Sequence, residues 1–255
     1  MLYKGLAILQ WGLALMIATI SASLKAETTS LVNTGWQFLK GPVEGIQHTA
    51  WVTIPLLTIA LGIAQIARNQ IGPPWVWEHL HMLLDSFQEL VFGDEAGDLH
   101  HHRATLFKRV SFGRGWRFWD WRGWLVPVER SGHATRRSKS TFRAPDDADR
   151  TEGVAGAAWA GKQTIYVENL PDISGNPSPQ ELEQYANATR STTKWLTKHK
   201  PCSRSFCGIP FDVKGKRWGV VVLDSRNEQI TQKAPLIDSF FKINGRYLSK
   251  LMERF

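Results

Sequence analysis

The chain has 255 residues, 43% of them apolar, with a formal charge of +8 and a pI near 9.6. That is enough for one ordinary domain plus a membrane segment, and too little for two large globular domains. Its two cysteines, Cys202 and Cys207, exclude a disulfide-built fold and favour a reducing compartment, while the positive charge suits an anionic membrane surface or nucleic acid.

Residues 6–24 carry no charge, and as a helix they reach about 28 Å, close to the hydrocarbon thickness of a bilayer. Residues 49–67 repeat the pattern. Lys4 and Ser21-Ala22-Ser23 would also fit a cleaved signal peptide, but the second run and the flanking charges suit a helical hairpin better. Between the runs stand only Lys25, Lys40, Glu27 and Glu44, whereas residues 103–143 hold eleven Lys or Arg against Asp120 and Glu129. The positive-inside rule therefore predicts both termini in the cytoplasm, with the hairpin in a bacterial inner (plasma) membrane. Trp36, Trp51, Trp75 and Trp77 lie near the predicted helix ends, where indole rings favour the headgroup layer.

Pro73-Pro74 interrupts the second helix, and a new period begins at Leu80, Leu83, Leu84, Phe87, Leu90 and Val91, ending near Gly93. This stripe would serve either as a dimerising signalling helix or as a face packed on the domain's own sheet. Residues 104–110, 123–128, 163–168, 206–213 and 219–223 read as five strands. Ser178-Pro179-Gln180-Glu181 combines a capping box with proline at the first helical position, predicting a helix to about Lys198. Ile237, Phe240, Phe241, Leu248, Leu251, Met252 and Phe255 mark a closing amphipathic helix. The order implies an α+β fold: two N-terminal transmembrane helices, then a central antiparallel sheet flanked by helices. The boundaries read as a hairpin at 1–72, a connecting helix at 73–93 and a soluble domain at 94–255.

Two stretches go beyond general patterning. The first is Glu152-Gly153-Val154-Ala155-Gly156-Ala157-Ala158-Trp159, followed by Thr164-Ile165-Tyr166-Val167 and Leu170-Pro171-Asp172. The second is Gly208-Ile209-Pro210-Phe211 leading through Lys214-Gly215-Lys216-Arg217-Trp218-Gly219 into Val220-Val221-Val222-Leu223-Asp224-Ser225. In this order they resemble the GAF domain family, in which a Gly-x-x-Gly helix start precedes one strand, and a proline-ended strand pairs through a glycine turn with another. The resemblance implies a GAF-like sensory domain with a pocket between sheet and covering helices, and binding transmitted through the terminal helices of a dimer. It names no ligand, since GAF domains take cyclic nucleotides, haem, bilins, amino acids or nothing.

Phe142, Arg143, Arg150 and Glu152 flank the glycine pair, where a GAF-type pocket would open. Arg143 and Arg150 would hold a phosphate or carboxylate by forked hydrogen bonds, or else pair with Asp146, Asp147 and Asp149 on a solvated loop. Trp159 would stack on a ligand or seal the core. The GAF enzyme free methionine sulfoxide reductase carries a cysteine where this chain has Ala155, so a thiol relay lacks a member and no enzyme is expected. His100-His101-His102 and the Cys-x4-Cys pair lack the spacing of a metal site. Residues 111–124 interleave Trp116, Phe118, Trp119, Trp121 and Trp124 with Arg114, Arg117 and Arg122, suiting a headgroup layer, a β-hairpin or single-stranded nucleic acid; with no recognition fold evident, nucleic acid is disfavoured.

These readings converge on a membrane-anchored cytoplasmic sensor of a small intracellular ligand, nucleotide or otherwise, with the lipid bilayer and a homodimer or higher oligomer as partners. No output domain follows the predicted sensor, so transmission is expected to reach the membrane helices or a separate partner. A nucleotide-gated two-helix effector of an antiphage system, and a dimerisation module without a ligand, are the alternatives.

Overall fold

The computed structural model describes residues 2–25, 40–71, 73–110, 123–132 and 140–254. It divides into two compact units, residues 1–74 with 254–255, and residues 75–253.

The first unit is a pair of packed helices, α1 (Leu2–Lys25) and α2 (Lys40–Ile71). Both are long and apolar enough to cross a membrane, over 21 and 27 residues, at a mean hydropathy of 1.7. Their apolar side chains point outward: Trp11 and Trp51 are each 78% exposed, and Ile8, Leu15 and Ile63 lie open beside them. A water-soluble helix hides such residues, so this arrangement is the inverse of a soluble core helix. Gln10 is buried, and its amide donates to Gln65 across the pair. Both helices overrun the uncharged runs, because Lys25 and the stretch from Lys40 continue the helix into polar sequence.

In the second unit, six antiparallel strands among the described residues form one sheet in the order β3-β2-β1-β6-β5-β4. They are β1 (Arg103–Val110), β2 (Trp124–Arg130), β3 (Phe142–Arg143), β4 (Ile165–Val167), β5 (Ser205–Val213) and β6 (Lys216–Ser225). Five lie where the β-branched runs predict them. The two residues of β3 are too short to show a period of two, and pairing with Trp124 and Leu125 defines them instead. The β5–β6 hairpin turns at Lys214 and Gly215, both at positive φ, as the glycine there allows.

Strand alternation sorts the side chains onto two faces. On one, Leu106, Cys207, Val221 and Leu223 are fully buried. The helices α3 (Pro74–Phe92) and α7 (Ala234–Met252) pack together through Phe87 and Phe240, whose rings stack at 4.2 Å. Leu80, Leu84, Phe87 and Val91 are thus buried within the domain, so most of the stripe is occupied there and only Leu90 of the predicted set stays open. His81 of α3 reaches Glu129 of β2 at 3.5 Å, and buried His102 stacks on Phe92 while its Nδ1 meets Ser225 Oγ at 2.9 Å.

The other face carries α4 (Gly153–Gly161), α5 (Pro179–Thr189) and α6 (Thr193–His199). Gly208 lets α4 settle on the sheet, since a Cβ there would stand 2.9 Å from Ala158 Cβ. Gly156 does the same against β3, where a Cβ would meet the Arg143 carbonyl at 2.8 Å. The helix predicted to run to Lys198 is two helices. Arg190 takes a left-handed conformation that ends α5, and Thr192 caps α6 through the Trp195 amide.

Candidate functional site

Between this second face and the helices α4 to α6 lies a cavity of about 250 Å³. Its floor follows from register. Arg103, Thr105 and Phe107 alternate along β1 and point one way, and register sets Asp224 beside Arg103 and both Val222 and Arg130 beside Thr105. Phe206 of β5 faces Asp224. Gly153, Val154 and Ala155 of α4 cover one side, and Tyr185 of α5 with Trp195 of α6 cover the other.

The polar end is tightly built. Arg103 donates through Nε to Asp224 Oδ2 at 2.7 Å and through a terminal nitrogen to the same oxygen and, at 3.1 Å, to Ser203 Oγ. Ser203 Oγ donates to Asp224 at 2.7 Å, and Tyr185 Oη donates to the Ser203 carbonyl at 2.8 Å. Burial works against the Arg103 charge, but the Asp224 carboxylate outweighs it and raises the pKa. Arg130 stands differently: burial first, then repulsion from Arg103, holds its pKa below the ordinary value, with only partial relief from Asp224. Among the described residues its buried Nε donates to nothing. Phe107, Phe142, Val154, Ala155, Phe206 and Val222 supply apolar wall, with Ser140, Thr189, Ser191 and His199 set among them. An adjoining depression of about 390 Å³ is lined by Ser140, Phe142, Glu152, Arg190, Trp195 and His199 among others.

Of the residues singled out in the sequence, Phe142 lines both cavities and Glu152 the outer one. Arg143 and Arg150 line neither. Arg143 lies 3.6 Å from Glu152 and over the Trp124 ring, while exposed Arg150 pairs with Asp147 at 3.5 Å and Arg109 with Asp146 at the same distance. Each of these arginines thus stands beside a carboxylate close to it in sequence or in space. Trp159 is 4% exposed and packed in the core, flanked by the Arg109 and Arg217 guanidiniums at 5.1 Å each. The aromatic and basic run at 111–122 lies outside the described residues.

Cys207 sits on the sheet face opposite the cavity, and burial pushes its thiol up to about 12, an inert state for a nucleophile. Ala155 lines the cavity. Sequence reasoning missed Arg103, Arg130, Ser203 and Asp224 as a group. Each carried only a local signal, a polar residue at a strand end or on an alternating face, and register alone brings them together.

No protein-family model matches the sequence, and no curated protein matches it. Several solved structures are similar at low identity. NreA from Staphylococcus aureus, mutated in its nitrate-binding site, matches at 14% identity over 60% of this chain and 95% of its own, with a TM-score of 0.33. The type II free methionine-R-sulfoxide reductase of Thermoplasma acidophilum matches at 14% identity over 66% and 96%, with a TM-score of 0.35. Residues 122 to 287 of a methyl-accepting chemotaxis protein match at 20% identity over 66% and 90%, with a TM-score of 0.33. Similarity at this level is too distant to assign this chain a ligand or an activity.

Proposed function

We propose that the chain is a membrane-anchored sensor, in which the second unit takes a small intracellular ligand into the cavity beneath α4 to α6 in the manner of a GAF domain. The observation that carries this reading is the cavity itself: largely apolar walls, convergent polar groups at one end, and a half-buried arginine whose Nε donates to nothing among the described residues. Small-molecule sites have that composition, and an interior shaped only for stability pairs or removes such a charge. At about 250 Å³ the cavity falls below the roughly 300–1,000 Å³ of sites for drug-sized ligands, which favours a small metabolite over a nucleotide.

Transmission has a physical route in the sheet. Strand β1 presents Arg103, Thr105 and Phe107 to the cavity and Leu106 to the opposite face, where α3 and α7 pack as the two terminal helices of the unit. A ligand that favours one position of β1 and β6 would bias the packing of those helices, provided that it binds the two states unequally. Output would then pass to α1 and α2 or to a partner.

The test is mass spectrometry on the full chain, purified in detergent and denatured to release bound molecules. A stoichiometric small metabolite supports the sensor; a nucleotide would favour the gated-effector alternative; an empty folded protein that binds nothing from a metabolite extract would leave the dimerisation module.

A further inference from the structure

Resting on that reading of the cavity, we infer that its ligand is a small organic monocarboxylate, with the carboxylate seated on Arg130 and the apolar body against Phe107, Phe142, Phe206 and Val222. Three observations fix the class. The first is charge. Besides His199, whose ring stacks on Trp195 at the mouth, the charged groups among the described lining residues are Arg103, Asp224 and Arg130. Arg103 and Asp224 neutralise one another through two contacts, so one positive charge is left, on a side chain with no ion-pair partner among the described residues. A forked guanidinium held this way matches a carboxylate in shape and in charge.

The second observation separates a monoanion from a phosphate. Asp224 is 7% exposed and interacts electrostatically with Arg130. A phosphate bearing close to two charges would face that carboxylate at short range in a poorly solvated site, with one unpaired cation to offset it. A single negative charge balances the cavity. The third is the shape of the walls: most of the lining is apolar, so a bare inorganic ion would leave that surface without a partner, whereas a carboxylate with a hydrocarbon or aromatic body covers it. Helix α4 also opens onto the cavity through Gly153, Val154 and Ala155, where the positive end of the helix favours an anion.

The experiment is calorimetric titration of the full chain in detergent with butyrate and benzoate, their neutral counterparts butyramide and benzamide, and inorganic phosphate. The expected result is binding of at least one carboxylate at least tenfold tighter than its amide and than phosphate, weakened about tenfold or more in Arg130→Gln and less in Arg130→Lys. Amide binding equal to carboxylate binding, or an unchanged carboxylate affinity in Arg130→Gln, overturns the monocarboxylate while leaving the sensor in place. Preferred binding of phosphate overturns it in favour of an oxyanion. Absence of binding by all five probes overturns it too, and the metabolite release experiment then shows independently whether the sensor falls with it. Should Arg130→Gln fail to fold, the carboxylate-to-amide ratio in the native protein still decides.

Discussion

Asp224 is the residue on which the polar end of the cavity turns, since Arg103 and Ser203 both donate to the same carboxylate oxygen. Replacing it with asparagine leaves Arg103 as a second unpaired cation beside Arg130. Removing one partner of a fully buried ion pair costs about 3–5 kcal/mol, and with the Arg103 side chain 35% exposed the cost should fall to roughly 2 kcal/mol. For a domain of this size, Asp224→Asn should therefore lower the melting temperature of the full chain in detergent by roughly 4–8 °C. An unchanged midpoint would mean that the pair contributes nothing. None of this was legible in the sequence, because 121 residues separate Arg103 from Asp224 and only the β1–β6 register joins them. The charges that were conspicuous, Arg143 and Arg150, stood out because they cluster locally, and local clusters find local partners in Glu152 and Asp147.

At the scale of elements, the strongest sequence signals were those in which backbone chemistry and side-chain pattern agree. The capping box forms as written: Ser178 Oγ accepts from the Glu181 amide and Glu181 accepts from the Ser178 amide at 2.7 Å, so Ser178→Ala should cost about 1 kcal/mol in urea unfolding. Glu168 provides a less visible cap. Its Oε1 accepts from the Ile230 and Thr231 amides, at 2.6 and 2.5 Å, ordering the turn that leads into α7. Burial opposes its charge, but these hydrogen bonds win and hold the carboxyl below its ordinary value. A depressed folded pKa gives stability that is present above the unfolded value and lost as pH falls through the folded one. Acid titration below about pH 4.5 should therefore loosen this turn, and Glu168→Ala should remove that part of the acid sensitivity in hydrogen exchange of the Ile230 and Thr231 amides. The sequence held no sign of it, because Glu168 and Ile230 are 62 residues apart. Phe87 was legible as an apolar stripe member but not in its partner, and Phe87→Ala should cost about 3–5 kcal/mol by opening a void against Phe240.

For the whole molecule, the proposed function requires the second unit on the cytoplasmic side of a membrane, and the chain carries its own reporters for that. Cys202 is exposed, whereas Cys207 is fully buried with its thiol pushed up to about 12, by burial first and with the Tyr166 hydrogen bond opposing. At pH 7.5 a maleimide should therefore modify Cys202 alone in the folded protein and reach Cys207 only after unfolding, which gives an internal check that the unit is intact. Under the proposed membrane-anchored reading, the charge asymmetry, eleven Lys or Arg in residues 103–143 against Lys25 at the end of α1 and Lys40 at the start of α2, predicts Cys202 on the cytoplasmic side. A membrane-impermeant maleimide should then leave Cys202 untouched in intact cells and label it in inverted vesicles. Labelling in intact cells would put the cavity outside the cell, where the cysteines and the intracellular ligand lose their rationale together. Recovery of the labelled protein in the soluble fraction, with residues 2–25 missing, would instead identify α1 as a cleaved leader and remove the hairpin from the mechanism.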